Sequence, residues 1–378
     1  MFVNRNRSIS FTFAGTQRGV AGHWRPAPVA LATPRPRTLA DVGGPNHFGA
    51  LRLLFAFLVI LSHAPELIDG NRSRELLTGV FNTLSFGEFA VDCFFLVSGY
   101  LIVRSYDGRP NLGSFAMRRG LRIVPGYAVA FLVSWLVVGP LAGTRIGADG
   151  YMIQVIRLIT LQPPELKGAF AGLPYPALNG AMWTIAYEAR CYIAAALLGF
   201  AGAYRHPIRY LVACGAVLLL VLTMPKLLLP YWLGLAIGDP RQDLAFLMIF
   251  LAGGAFHVFR ARIVQDGRLA LAAAAILAIL MSSTPLLAHL GMALGGGYLL
   301  FHFALTFPAP RLAGVGNKVD LSYGLYLYAW PVQNLLVQRM DGISPWHLTL
   351  GATAVAAVLG YASWRLVEQP CLAFGRRQ

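Results

Sequence analysis

In the run LRLLFAFLVILSHAPEL, Arg52 and His63 lie within an apolar stretch that Pro65 is expected to close. Eleven positions is about three helical turns, so the two side chains share one helix face, with His63 about 16 Å further along the axis. An ionisable group inside a membrane helix costs at least about 2.5 kcal/mol on insertion scales, which makes such residues the first functional candidates. A neutral imidazole at that depth can accept a hydroxyl proton. The plainer reading has Arg52 snorkelling to lipid phosphate and His63 bonded to a backbone carbonyl. The shared face favours chemistry.

Four further stretches place polar groups where apolar ones are the rule. FGEFAVDCFFLVSGYLI sets Asp92 at the start of a second segment, where it can orient an imidazole or line a polar cavity, or serve as an ordinary helix-start carboxylate. Ser98 and Gly99 behind it suit close helix packing. In FAMRRGLRIVPGY, Arg118, Arg119 and Arg122 precede a third segment; guanidinium forks match phosphate oxygens, although such a cluster also serves as a topology signal. MWTIAYEARCY carries Glu188 between Trp183 and Arg190. On a helix Glu188 and Arg190 diverge, so each needs another partner, and Glu188 is expected to hold a sugar hydroxyl or fix the tautomer of His63. VDLSYGLYLYAWPV follows Asp320 with Tyr323, Tyr326, Tyr328 and Trp330; with Trp183, Tyr323 and Tyr326 form the expected sugar-stacking surface. Glu368-Gln369-Pro370 reads as a helix stop and receives no site role.

The elements that must position these residues are membrane helices. Of 378 residues 57% are hydrophobic and 12% charged, with mean hydropathy +0.59, too few charges to cover a water-soluble globule. Ten apolar segments follow one another at about 48–66, 87–104, 123–142, 181–203, 207–224, 243–260, 267–284, 286–306, 320–338 and 346–368. Runs of this length match a hydrocarbon core of about 30 Å, so the expected fold is all-α, about ten transmembrane helices in one bundle. The stretches 151–161 and 227–237 are too short to span and are expected to be interfacial or re-entrant. Residues 1–46 hold six arginines and no acidic residue before Asp41, the pattern of a mobile, disordered basic cytoplasmic tail; 47–372 are expected to form the membrane domain and 373–378 a short cytoplasmic tail. No apolar core follows Arg5 and Arg7, so a signal peptide is not expected.

Under this topology one side carries 20 Lys and Arg against eight on the other, which places both termini in the cytoplasm. The net charge of +15 then belongs to basic loops and lipid contacts rather than to a nucleic-acid partner. Cys93, Cys191, Cys214 and Cys371 show no metal-ligand spacing and no disulfide framework, and no metal is expected.

Taken in order, these motifs resemble the acyltransferase-3 family over about residues 47–372. The Arg52 and His63 pair, AVDCFFLVSGYLI at 90–102, Arg122-Ile123-Val124-Pro125, the Trp183 to Glu188 element and the Ser322 to Leu327 element each match a family motif. Ala186-Tyr187 stands where relatives often have Ser-Val, and Ala329 where His is common, so any role of that His is not carried over. The resemblance implies acyl transfer, commonly acetyl from acetyl-CoA, to hydroxyls of surface polysaccharide or lipid-linked sugars at a bacterial-type inner membrane. On this reading acyl-CoA is a co-substrate with no tightly bound cofactor. Its phosphates meet Arg118, Arg119 and Arg122, with Arg52 at the cytoplasmic mouth, while His63 acts as general base or itself carries the acyl group. The competing expectation is a glycan transporter or exporter using the same charges along its pathway.

Overall fold

The computed structural model describes residues 37–42, 46–145, 150–223, 238–316 and 318–376. The basic segment 1–36 and the stretch 227–237 lie outside the described residues. From Arg37 onward the chain forms one compact unit. Arg37 to Ala40 are hydrogen-bonded to the backbone of residues 260–265, ten positions ahead of the point where the apolar pattern begins.

Among the described residues the regular structure is helical, apart from one isolated bridge between Thr38 and Val264. A helix occupies each of the ten expected segments: α1 Phe48–Asp69, α2 Phe86–Gly108, α3 Leu112–Leu141, α4 Thr184–Phe200, α5 Pro207–Thr223, α6 Pro240–Val258, α7 Gly267–Met281, α8 Pro285–Thr306, α9 Ser322–Arg339 and α10 Pro345–Gly375. Five of these, α1, α2, α3, α8 and α10, are long and apolar enough by themselves to cross a membrane. Helices α4, α5 and α7 are shorter, with 17, 17 and 15 residues. Helix α6 opens on Arg241, Gln242 and Asp243, and α9 carries Gln333 and Asn334. Those two amides are buried and donate to the carbonyls of Ile60 (2.9 Å) and Ala177 (3.0 Å), so their N–H groups are bonded inside the bundle.

Ion pairs fix the relative direction of the helices. Arg52 near the start of α1 and Arg122 in the first half of α3 both bind Asp320, two residues ahead of α9, so these odd-numbered helices begin at one end. Asp92 in α2 meets His289 in the first turns of α8, so these even-numbered helices begin at the other. Large apolar side chains face outward, among them Leu271 (75% exposed) and Leu366 (78%), as a lipid-facing surface requires.

Close packing depends on glycine at a few points. A Cβ on Gly99 would collide with the Phe250 carbonyl, and one on Gly253 with the Leu96 carbonyl, so α2 and α6 touch backbone to backbone. Gly324 and Gly360 do the same for α9 and α10. The stretch 151–161 contains a helix, Tyr151–Ile159, with Gln154 and Arg157 buried and Met152, Ile156 and Ile159 exposed; its apolar face turns outward.

Two prolines do not stop their helices. Helix α1 runs through Pro65 and ends at Gly70, whose φ of 72° only glycine adopts at no steric cost. Helix α10 runs through Pro370 after a π-turn at Trp364–Glu368. A proline removes one donor and crowds one carbonyl, and tertiary packing holds the remaining bonds on either side.

Candidate active site

The extra turn of α1 beyond Pro65 supplies the partner of His63. Glu66 lies three residues on, on the same face, and its Oε2 is 2.9 Å from His63 Nδ1. An ionised carboxylate only accepts, so Nδ1 carries the proton and Nε2 the lone pair. Glu66 is buried, and Arg72 donates to its other oxygen at 3.1 Å, while a second Arg72 nitrogen lies 3.2 Å from Glu88. Burial works against the charge of Arg72, yet Glu66 and Glu88 hold its pKa above the ordinary arginine value. The Trp330 ring meets the imidazole edge-on at 4.8 Å and is anchored by its indole N–H to the Ala177 carbonyl (3.0 Å). Gly180 makes room for that ring, since a Cβ there would come within 2.5 Å of it.

His63 opens on a cavity of about 220 Å³, whose walls include Trp183, Phe246, Tyr326 and a second imidazole–carboxylate pair. In that pair His289 Nδ1 lies 2.7 Å from Asp92 Oδ2. Helix α2 is capped instead by Ser85 and Glu88, which leaves Asp92 free of the helix-start role.

A second cavity, about 120 Å³, lies toward the start of α1 and is walled by Arg52, Arg119, Arg122, Glu188, Tyr192 and Tyr323 among others. Val91 and Tyr326 line both cavities, so the two abut end to end along α1. The Tyr326 hydroxyl at this junction is 2.6 Å from Thr184 Oγ1. Asp320 binds Arg52 at 2.8 Å and also Arg122, and Arg122 reaches Glu368 at 3.8 Å. Among the described residues no carboxylate is in ion-pair contact with Arg119, and its buried Nε has no hydrogen-bond partner.

The structure therefore brings the candidate residues together in two groups. His63, Asp92 and Trp183 share one cavity; Arg52, Arg119, Arg122, Glu188 and Tyr323 share the other; Tyr326 belongs to both. Glu188 is not in contact with His63: it accepts from Ser98 (3.0 Å) and Tyr192 (2.6 Å). Tyr323 gives its hydroxyl proton to the Ile123 carbonyl (2.9 Å) and faces Arg122, away from the His63 cavity. Arg118 bonds Ser114 and is not part of either wall. Arg190 pairs with Asp243 at 2.6 Å, the separate partner its divergence from Glu188 demands.

Sequence reasoning missed Glu66, Arg72, His289, Asp320 and Glu368. The H-x-x-E spacing of His63 and Glu66 was the available signal, hidden by reading Pro65 as a stop. Glu368, read as an interfacial carboxylate at a helix stop, is buried beside Ser363 and Arg122 within a continuing helix. Among the described residues no group of three or more His, Cys, Asp or Glu is disposed to hold a metal ion.

Fold and site together define a class: a multi-pass, all-helical membrane protein with an intramembrane imidazole open to a polar cavity. The sequence profile described as an acyltransferase domain matches residues 48–365, and the chain belongs to this acyltransferase-3 family. It is thus an acyltransferase for groups other than aminoacyl. The chain is similar to an O-acetyl transferase of Shigella phage Sf6, 25% identical over 347 residues that cover 86% of this chain and 95% of the relative. It is also similar to nodulation protein 10 of Rhizobium leguminosarum bv. viciae, 28% identical over 367 residues, 87% of this chain and 94% of the relative. No solved structure matches it.

Proposed function

We propose that this protein is an O-acyltransferase of a bacterial-type inner membrane that moves an acyl group, acetyl foremost, from acyl-CoA to a sugar hydroxyl of a cell-surface polysaccharide or glycolipid. The observation that carries this reading is the His63–Glu66 dyad in a cavity that abuts an arginine-lined one. Arg119, Arg122 and Arg52 suit the phosphates of the donor, whose thioester end would reach toward the His63 cavity on the side of Val91 and Tyr326. In the neutral tautomer that donates from Nδ1 to Glu66, the Nε2 lone pair of His63 meets the thioester carbonyl or the incoming hydroxyl. The C–O bond forms, the C–S bond breaks, and the hydroxyl proton is taken up by imidazole. Trp183, and Tyr326 at the junction, offer the acceptor sugar an aromatic wall. The similarity to an O-acetyl transferase supports acetyl as the group moved.

All ten helices cross the bilayer in this reading, with the tail, the arginine-lined cavity and the C-terminus on the cytoplasmic side and the His63 cavity facing outward. The decisive experiment compares surface glycans by mass spectrometry from cells with the unaltered chain and with His63→Ala. The acyl increment is expected in the first and absent in the second, with the variant present in the membrane in normal amount. Movement of a glycan across vesicles without any acyl donor would favour the transporter reading instead.

A further inference from the structure

His63 is not the only base on its cavity. His289 projects from the first turns of α8 into the same space, with Nδ1 2.7 Å from Asp92 Oδ2. Asp92 is 1% exposed, a buried carboxylate whose side-chain partner among the described residues is this imidazole, while the His289 side chain is 28% exposed toward the cavity. The logic of the first dyad applies again: in the neutral imidazole Nδ1–H donates to the carboxylate, and Nε2 is left with its lone pair. No described protein group hydrogen-bonds either Nε2. His63 and the Asp92–His289 pair thus line one cavity from different helices, each imidazole bonded to its own carboxylate. The four groups do not converge on a point that would hold a metal ion. A reaction in which one base does everything leaves the second dyad without a task.

We infer that the two dyads divide the reaction: His63 takes the acyl group from the donor, and His289 is the base that deprotonates the acceptor hydroxyl. This rests on the acyl-transfer reading above and goes beyond it. In the first stage His63 Nε2 attacks the thioester carbonyl, the C–S bond breaks, and the thiolate leaves with the bonding pair. His63 becomes an N-acylimidazolium whose positive charge faces Glu66. In the second stage the acceptor oxygen attacks the acyl carbon while its proton passes to His289 Nε2, and the C–N bond returns its pair to His63. The resulting imidazolium of His289 faces Asp92 and gives its proton to water, so thioester and alcohol have become ester, thiolate and one proton. Two stages suit two cavities, because donor and acceptor need not occupy the His63 cavity together.

Hydroxylamine separates the stages, since it captures an acylimidazole without needing a base to deprotonate it. The purified full chain, given acetyl-CoA and hydroxylamine, is expected to form acetyl hydroxamate; His289→Gln is expected to do so within about twofold of the unaltered protein. In cells the same variant is expected to lose glycan acylation by about 10²-fold or more, the usual contribution of a general base. His63→Ala loses both activities. Retained glycan acylation in His289→Gln, or joint loss of both activities in it, would overturn the division of labour, the second because it makes His289 merely structural. Absence of hydroxamate with the unaltered protein would overturn the covalent stage. Glycan acylation surviving in His63→Ala would instead sink the acyl-transfer assignment of the site.

Discussion

Replacing Glu66 by Gln keeps an oxygen that accepts the His63 Nδ1 proton but removes the charge that stabilises a cationic imidazole, and it offers the wrong tautomer a partner. The acyl-transfer rate is expected to fall about 10²- to 10⁴-fold with little change in donor KM, measured as thiol release from acyl-CoA. Two arginines of one cluster are expected to differ in the same assay. Arg119→Ala should raise donor KM at least several-fold, because Arg119 lines the cavity with no ion-pair partner among the described residues, whereas Arg118→Ala should have little effect, because Arg118 lies off the wall. Arg122 is different again. It pairs with Asp320 and Glu368 in a largely buried network, and Arg122→Ala leaves Asp320 with Arg52 alone and strands Glu368 at a cost of about 3–5 kcal/mol, visible as a lowered thermal midpoint before any kinetic effect is interpreted.

At the scale of the element, a proline decides what the site contains. Had α1 ended at Pro65, Glu66 would point from a loop; because it continues to Asp69, His63 and Glu66 share a face one turn apart. The loop ahead of α4 acts through Trp330, which its Ala177 carbonyl holds against His63. Gly180→Ala intrudes on that ring, and Trp330 must move off the imidazole. Acyl transfer is expected to drop while the helical content measured by circular dichroism stays unchanged. Gly253→Leu drives a side chain into the Leu96 backbone, where overpacking of about 1–3 kcal/mol is the least expected; the readout is loss of monodisperse protein after detergent extraction.

For the whole molecule, the ion pairs that align α1, α3 and α9 and the Asp92–His289 contact between α2 and α8 require helices of alternating direction. With the arginine-rich side inward, a cysteine at Asp341, in the connection between α9 and α10, is expected to react with a membrane-impermeant maleimide on intact cells. One at Arg109, between α2 and α3, is expected to react only after lysis. Both belong in a background without the four native cysteines.

The sequence by itself determined that this is a helical membrane protein and where the apolar runs that become its described helices fall, because run length and the scarcity of ionisable groups are properties of the solvent a chain must fold in. It also determined that Arg52 and His63 share a face, since that depends only on the helical repeat. The grouping of the remaining polar residues was decided by tertiary structure. Glu188 and Asp92 were both candidates to orient His63, and helix packing gave Glu188 to Ser98 and Tyr192, and Asp92 to His289, 197 positions away. Asp320 meets Arg52 across 268 positions for the same reason. Contacts of that separation follow from which helix faces which, and a linear pattern of polar residues holds no record of it.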